Sequence, residues 1–142
     1  MLLLNAPVPR PEPTLLGARM VLEMQGAVQD LIVRWRARGY AIGFGVGLAK
    51  GTATVGRIGY EGRLDYTAIG TVVNLASRLC ASAEDGQFLI DPEAAAEIRH
   101  AVPLVAVGTR TLRGFAEAIP VFTIEPGDGG LTAFSAMSEQ SA

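Results

Sequence analysis

The stretch Gly56-Arg57-Ile58-Gly59-Tyr60-Glu61-Gly62-Arg63-Leu64-Asp65-Tyr66-Thr67-Ala68-Ile69-Gly70-Thr71-Val72-Val73-Asn74-Leu75-Ala76-Ser77-Arg78-Leu79 decides the reading of this chain. Its first half is a glycine-punctuated strand and loop, and its second half has the spacing of a helix. Asn74 and Arg78 stand four residues apart, and residues at i and i+4 share a helix face. The amide and the guanidinium can therefore reach one point in space. A neutral donor–acceptor beside a fixed five-donor fork suits a phosphate ester whose charge changes during a reaction. An ordinary amphipathic helix with a polar outer face can carry the same pair, so the surrounding sequence has to decide.

Outward from that stretch, the apolar Met1–Leu4 reads as a short strand. Pro7, Pro9, Pro11 and Pro13 then impose an extended linker, each removing a backbone donor and biasing its predecessor away from the α region. Thr14 is placed to cap the next helix. Leu15, Ala18, Val21, Leu22, Val28, Leu31, Ile32 and Trp35 recur at threes and fours, which predicts an amphipathic helix over 15–38 that stops at Gly39. Tyr40–Leu48 and Thr52–Ile58 read as a hairpin turning at Lys50-Gly51. Gly59–Gly70 reads as a loop into a helix over 71–82. Asp91-Pro92-Glu93 is a strong helix start, with a capping carboxylate, a proline at the first position and an acid in the first turn; this helix runs to His100. Leu104–Val107 and Val121–Glu125 are expected as strands around a Leu112–Phe115 turn. The expected order is β-α-β-β-α-α-β-β. Residues 1–125 form one domain, and 126–142, rich in Gly, Ser and Thr, a flexible tail.

Composition narrows the class. At 142 residues the chain is one domain by length, 49% hydrophobic with a mean hydropathy of +0.31. No apolar run approaches the ~18 residues of a membrane span, and Met1–Leu4 is too short and uncharged for a signal peptide. The expectation is a cytosolic protein with no membrane contact. A net charge of −2 and a pI near 5.4 argue against a nucleic-acid surface. The Arg34–Arg38 cluster suits a helix C-terminus, where cations complement the macrodipole. The single Cys80 excludes an internal disulfide and a cysteine zinc site, and its neighbours suggest a buried, inert thiol. His100, the only histidine, fits a surface or helix-end role.

The central stretch closely resembles the signature of class III adenylate/guanylate cyclase catalytic domains, G-x-I-G…DYT-x-I-G-x-x-V-N-L-A-x-R-L. Further pieces match in order: Gly43-Phe44-Gly45-Val46-Gly47-Leu48 resembles the preceding strand, Gly86-Gln87-Phe88-Leu89-Ile90 the G-Q-I-L-[IV] strand, and Thr111-Leu112-Arg113-Gly114-Phe115 the L-[KR]-G-[FI] turn. Leu4-Asn5-Ala6-Pro7-Val8-Pro9-Arg10-Pro11-Glu12-Pro13 resembles a subfamily's F-N-D-P-x-P-x-P-x-P linker. Five ordered motifs over about residues 1–125 are far more specific than any one of them. The resemblance implies an α+β, ferredoxin-like nucleotide cyclase fold with spatial strand order 4-1-3-2. It is truncated here, lacking the first strand, the first helices and the second strand. The absent first strand would lie between Met1–Leu4 and the strand near 42–48, leaving unpaired backbone on both. An alternative pairing, a second chain or disorder of Met1–Pro13 would have to close that gap.

The resemblance also implies roles. The family cyclises ATP or GTP, with pyrophosphate leaving and two divalent ions assisting. Asn74 matches the residue that orients the ribose, and Arg78 the one that stabilises the α-phosphate. Thr67 stands at the base-selecting position, where a hydroxyl fits adenine but discriminates weakly by itself. Asp65 suits a structural role through Asx-type bonds. Thr71, where many members have Asp, can cap its helix. Gly56, Gly59 and Gly62 permit turns, and no Gly-Lys-Ser/Thr follows to make a P-loop. Lys50 reads as solvated.

The F-x-D-[IL] and G-D motifs that carry the metal aspartates do not occur, nor does the base-reading lysine that precedes the turn. The chain therefore retains no metal ligand, and Mg or Mn would come with a partner's metal site. Three readings follow. The chain is a half-domain inactive alone that gives Asn74 and Arg78 to a shared site, as a homodimer or a heterodimer with a cyclase domain. Alternatively it is a non-catalytic dimerisation or regulatory module. In a third reading, an internal Met has been taken for the initiator of an active cyclase.

Overall fold

The computed structural model describes residues 1–124, so the expected tail and Glu125 lie outside the described residues. Nine elements follow one another: α1 Pro13–Arg36, β1 Val46–Leu48, β2 Thr54–Tyr60, β3 Arg63–Ile69, α2 Thr71–Ser82, β4 Phe88–Ile90, α3 Pro92–Ile98, β5 Leu104–Arg110 and β6 Ile119–Ile124. Four strands make one sheet in the order β1-β4-β6-β5, and β2 and β3 make a separate two-stranded sheet. β1 pairs with β4 in parallel; every other pairing is antiparallel. The α+β class stands, and the element order is α-β-β-β-α-β-α-β-β.

Several expectations need correcting. Met1–Leu4 is not a strand, because no strand lies beside it to complete a ladder. The hairpin does not turn at Lys50-Gly51. β1 is taken by β4, with Val46 opposite Phe88 and Leu48 opposite Ile90. The hairpin forms instead from β2 and the segment expected as a loop, with Thr54 opposite Ile69 and Tyr60 opposite Arg63. Its turn is Glu61-Gly62, where Gly62 has φ 97. Gly59 is required there, since a Cβ would lie 2.0 Å from the Arg63 carbonyl oxygen. Gly56 sits mid-strand with open space around it, so it serves no turn.

The helix ends also differ in detail. α1 starts at Pro13 with Glu12 at the N-cap position and no side-chain cap. The Thr14 hydroxyl, one residue inside, donates to Glu97 at 2.9 Å instead. Arg34 and Arg36 do fall in the last turn. Arg36 donates to the Ile42 carbonyl and pairs with Asp85, which also accepts the Phe44 N–H, so the connection into β1 is pinned. Those bonds hold the Asp85 carboxyl below the usual carboxylate range. Gly70, not Thr71, occupies the N-cap of α2. Asp91 caps α3 as expected, accepting from the Ala94 N–H at 3.0 Å, but the helix ends at Ile98 and exposed His100 lies beyond it. β5 runs on to Arg110, past an irregularity between Ala106 and Gly108.

Alternation along β4 divides the core between the two sheet faces. Phe88 and Ile90 pack with Leu15, Ala18 and Val21 of α1, Ile98 of α3 and Ile124 of β6. Leu89 faces the other way, with Leu79 of α2, Leu112 and Val121. Burying a side chain such as the fully enclosed Leu79 contributes about 1.5–3 kcal/mol. Beside these clusters, Lys50 is not simply solvated. Its ammonium pairs with Glu97, which accepts the Thr14 hydroxyl, and its backbone N–H donates to Asp91 at 3.1 Å. α1, α3 and the connection after β1 are thus tied at one point. The hydrogen bond to Glu97 raises the Lys50 ammonium and lowers the Glu97 carboxyl, while burial pushes the Asp91 carboxyl up.

Two outcomes follow. Gly47→Ala should cost at least about 2 kcal/mol, because its Cβ would fall 2.5 Å from the Cys80 nitrogen; urea unfolding monitored by circular dichroism measures this. The second concerns Glu97. Its folded-state pKa is depressed, so its contribution is present above the unfolded value and lost as pH falls through the folded one. Glu97→Gln should therefore reduce the loss of melting temperature below about pH 4.3. An acid limb identical in both proteins would rule this contribution out.

Candidate functional site

Two glycines of the first sheet strand and its approach determine where α2 lies. A Cβ on Gly47 would stand 2.5 Å from the Cys80 nitrogen and 2.7 Å from the Ala76 oxygen, and one on Gly45 would stand 2.9 Å from the Ala83 oxygen. The helix backbone rests directly on the strand backbone. With Leu79 fully buried beneath it, a turn of 100° per residue fixes every other position of α2. Leu75 turns inward beside Leu79, against the same cluster. Asn74 and Arg78, about 40° apart on that wheel, both fall on the exposed outer face.

The structure thus brings Asn74 and Arg78 together on one face. Among the described residues, Arg78 enters none of the four ion pairs, which use Arg19, Arg36, Lys50 and Arg63. Its guanidinium is available to an outside anion. Thr67 lies on β3, opposite Gly56, and is half-buried. The strand position facing it carries no side chain, and the space over Gly56 is open. Paired residues share a face in an antiparallel ladder, so Thr67 and Gly56 face one way. Ala68 and Val55 face the other, into a cavity of about 430 Å³. β3 reaches α2 through Gly70 alone, so Thr67 sits close in the chain to Asn74, on a separate element.

Other side chains differ from expectation. Cys80 is exposed, its thiol 3.5 Å from the Gly45 carbonyl oxygen. It sits about 100° around the helix from Leu79, off the buried seam. Asp65 makes no Asx turn; it is exposed on β3 and lies 3.6 Å from Arg63, two residues back on the same face. The linkage of Thr14, Lys50 and Glu97 gave no sequence signal, because its members belong to three different elements. The exposed apolar side chains of the hairpin (Tyr60, Leu64 and Tyr66) were hidden by reading that segment as a loop, although Arg63–Ile69 offers a run able to pair.

Among the described residues, no group of three His, Cys, Asp or Glu side chains comes together. The carboxylates flanking the sheet are engaged: Asp85 with Arg36, Glu97 with Lys50, and Asp91 with the α3 N-terminus. Among the described residues no helix is long and apolar enough to cross a membrane.

Comparisons with known proteins bear on the family and the fold. Among curated proteins, adenylate cyclase 1 of Rhizobium meliloti is 34% identical over 80 residues, which are 55% of this chain and 12% of that protein. Among solved structures, the adenylyl cyclase CyaB from P. aeruginosa superposes with a TM-score of 0.77 at 28% identity, over 87% of this chain and 65% of that one. The guanylyl cyclase Cya2 has the same fold, with a TM-score of 0.74 at 24% identity over 90% of this chain and 68% of its own. This chain thus spans under two thirds of the CyaB structure and a small part of the curated relative. The family model for the adenylate and guanylate cyclase catalytic domain matches residues 1–125, and the chain belongs to that family.

Proposed function

We propose that this chain supplies one side of a composite nucleotide-cyclase site, with Asn74 and Arg78 acting on a nucleoside triphosphate held by a partner domain. The observation that carries this reading is the exposed Asn74/Arg78 face, set within the family's own motif and free of intramolecular ion pairs among the described residues. The partner is a cyclase domain, either a second copy or a longer relative, and it brings the divalent ions; among the described residues no three His, Cys, Asp or Glu side chains come together. The substrate is ATP or GTP.

In the proposed reaction the ribose 3′-oxygen forms a bond to the α-phosphorus as the bond to the leaving pyrophosphate breaks. The hydroxyl proton passes to solvent. The Asn74 amide holds the ribose so that attack and departure are in line. The Arg78 fork meets the negative charge that gathers on the transferring phosphate, where fixed donors act most strongly. The Thr67 hydroxyl, facing open space over Gly56, addresses the base and bears on substrate choice.

A second reading makes the chain a non-catalytic module that occupies a cyclase's partner surface. The exposed hairpin favours it: Leu64 and Tyr66, 60% and 46% exposed, share one face of β3, an apolar area suited to an interface.

The two readings separate by experiment. Alone, with ATP or GTP and either Mg²⁺ or Mn²⁺, the chain should give no cyclic nucleotide above background. Robust product from the purified chain would falsify the composite-site reading. Co-expressed with a close full-length relative whose own Asn and Arg positions are mutated, it should restore activity. Arg78→Ala should then remove that gain by a factor on the order of 10²–10³, and Thr67→Ala should shift the ATP/GTP ratio more than turnover. A heterodimer that forms yet is silent, or indifferent to Arg78, assigns the chain to the regulatory class.

A further inference from the structure

We infer that Asp91 is a positioning residue for the candidate site. Through the connection of residues 49–53 it holds the first turn of α2, and with it Asn74. The consequence for the reaction rests on the role proposed for Asn74; the mechanical tie does not.

Asp91 follows β4 directly and is 2% exposed. Its N–H donates to the Leu48 carbonyl at 3.1 Å. Its Oδ1 accepts two further N–H groups, from Ala94 at 3.0 Å and from Lys50 at 3.1 Å. Capping α3 requires only the bond to Ala94, and a serine or asparagine would cap as well. Enclosing a carboxylate is costly, and burial pushes this one up. What a cap does not explain is the bond to Lys50, which takes hold of the backbone two residues past the end of β1.

From Lys50 the chain runs over the start of α2. A Cβ on Gly51 would lie 3.1 Å from the Val72 Cβ. One on Gly70 would lie 3.1 Å from the Thr52 oxygen and 3.3 Å from the Ala53 Cα. Gly70 is the N-cap of α2, and its carbonyl accepts the Val73 N–H at 3.1 Å and the Asn74 N–H at 3.4 Å. Contacts therefore pass without a gap from the Asp91 carboxylate to the Asn74 backbone. Thr54, next along, pairs with Ile69, so the same connection leads into the hairpin that carries Thr67.

α2 has no device of its own at this end. Its N-cap makes no side-chain hydrogen bond, and its first turn holds no acidic residue. The seat on Gly47 acts further along, at Ala76 and Cys80. The first turn is thus left to the connection that crosses it, and Asp91 anchors that connection at its start.

The test begins with amide exchange of the full 142-residue chain, read by NMR, which needs no activity. Asp91→Ala should speed exchange about tenfold or more at Lys50 and Ala94, where bonds to a charged acceptor are lost. It should also speed Val73 and Asn74, with Leu79 and Cys80 unchanged. Asp91→Asn keeps an acceptor oxygen in place and should restore all four. Gly51→Ala leaves the α3 cap untouched and should speed Val73 and Asn74 but not Ala94. Faster exchange confined to Lys50 and Ala94 in Asp91→Ala makes the residue a cap alone and overturns the inference. If that variant loosens the whole chain, unchanged Val73 and Asn74 amides in Gly51→Ala overturn it. In the complemented heterodimer, Asp91→Ala should lower kcat about tenfold with KM little changed, and should cost nothing further beside Asn74→Ala. An additive double variant overturns the positioning role. Exchange effects at Asn74 without any complemented activity support the tie and count against the composite site instead.

Discussion

Everything in this structure hangs on the contact between the α2 backbone and the bare surface of β1. Gly47 has no side chain, and the Cys80 nitrogen and Ala76 oxygen occupy the place where one would be. The helix can then seat Leu79 among Leu89, Leu112 and Val121. Once that seam is fixed, helical geometry leaves no freedom over what the rest of the helix presents. Asn74 and Arg78 face outward because Leu79 and Leu75 face inward. A larger residue at position 47 would shift the pair along with the helix, so a glycine with no chemistry of its own sets the geometry of the candidate site.

The second tie is electrostatic and acts at the other face. Lys50, Glu97 and Thr14 join the connection after β1 to α3 and α1. Lys50 and Glu97 are both partly exposed, so their ion pair is screened and contributes modestly. Its value is positional: it fixes the start of α1 beside the cavity, while Asp91 holds the Lys50 backbone and caps α3 at once.

The helices were legible in the sequence because their signals are local. Asp91-Pro92-Glu93 announces α3 by its caps, and the apolar spacing of 71–82 places α2 to the residue. The Asn74/Arg78 face followed from the same spacing. Stretches of strand near 46–48, 54–58, 104–107 and 121–124 were legible too, but their pairing was not, because pairing is a long-range choice. Lys50-Gly51 and Glu61-Gly62 both offer a turn, and what decides between them is β4, which claims β1 from far along the chain. Thr67 therefore moved from an expected loop onto a strand. Met1–Leu4 has strand-like composition and no ladder to join, since composition supplies a preference and only a neighbour supplies hydrogen bonds. Cys80 was misjudged for a different reason: its apolar neighbours were counted, but not its angle from Leu79.

α2 is the element on which the candidate site and the cavity beside Met1–Ala6 converge, and its two sides are chemically separate. Val72, Val73 and Ala76 line the cavity, whereas Asn74 and Arg78 lie on the far side of the helix. The seating of α2 on Gly47 therefore uses one side of the helix and the candidate chemistry another, so a substitution at Val72 or Ala76 alters the cavity without altering what the Arg78 guanidinium can bond.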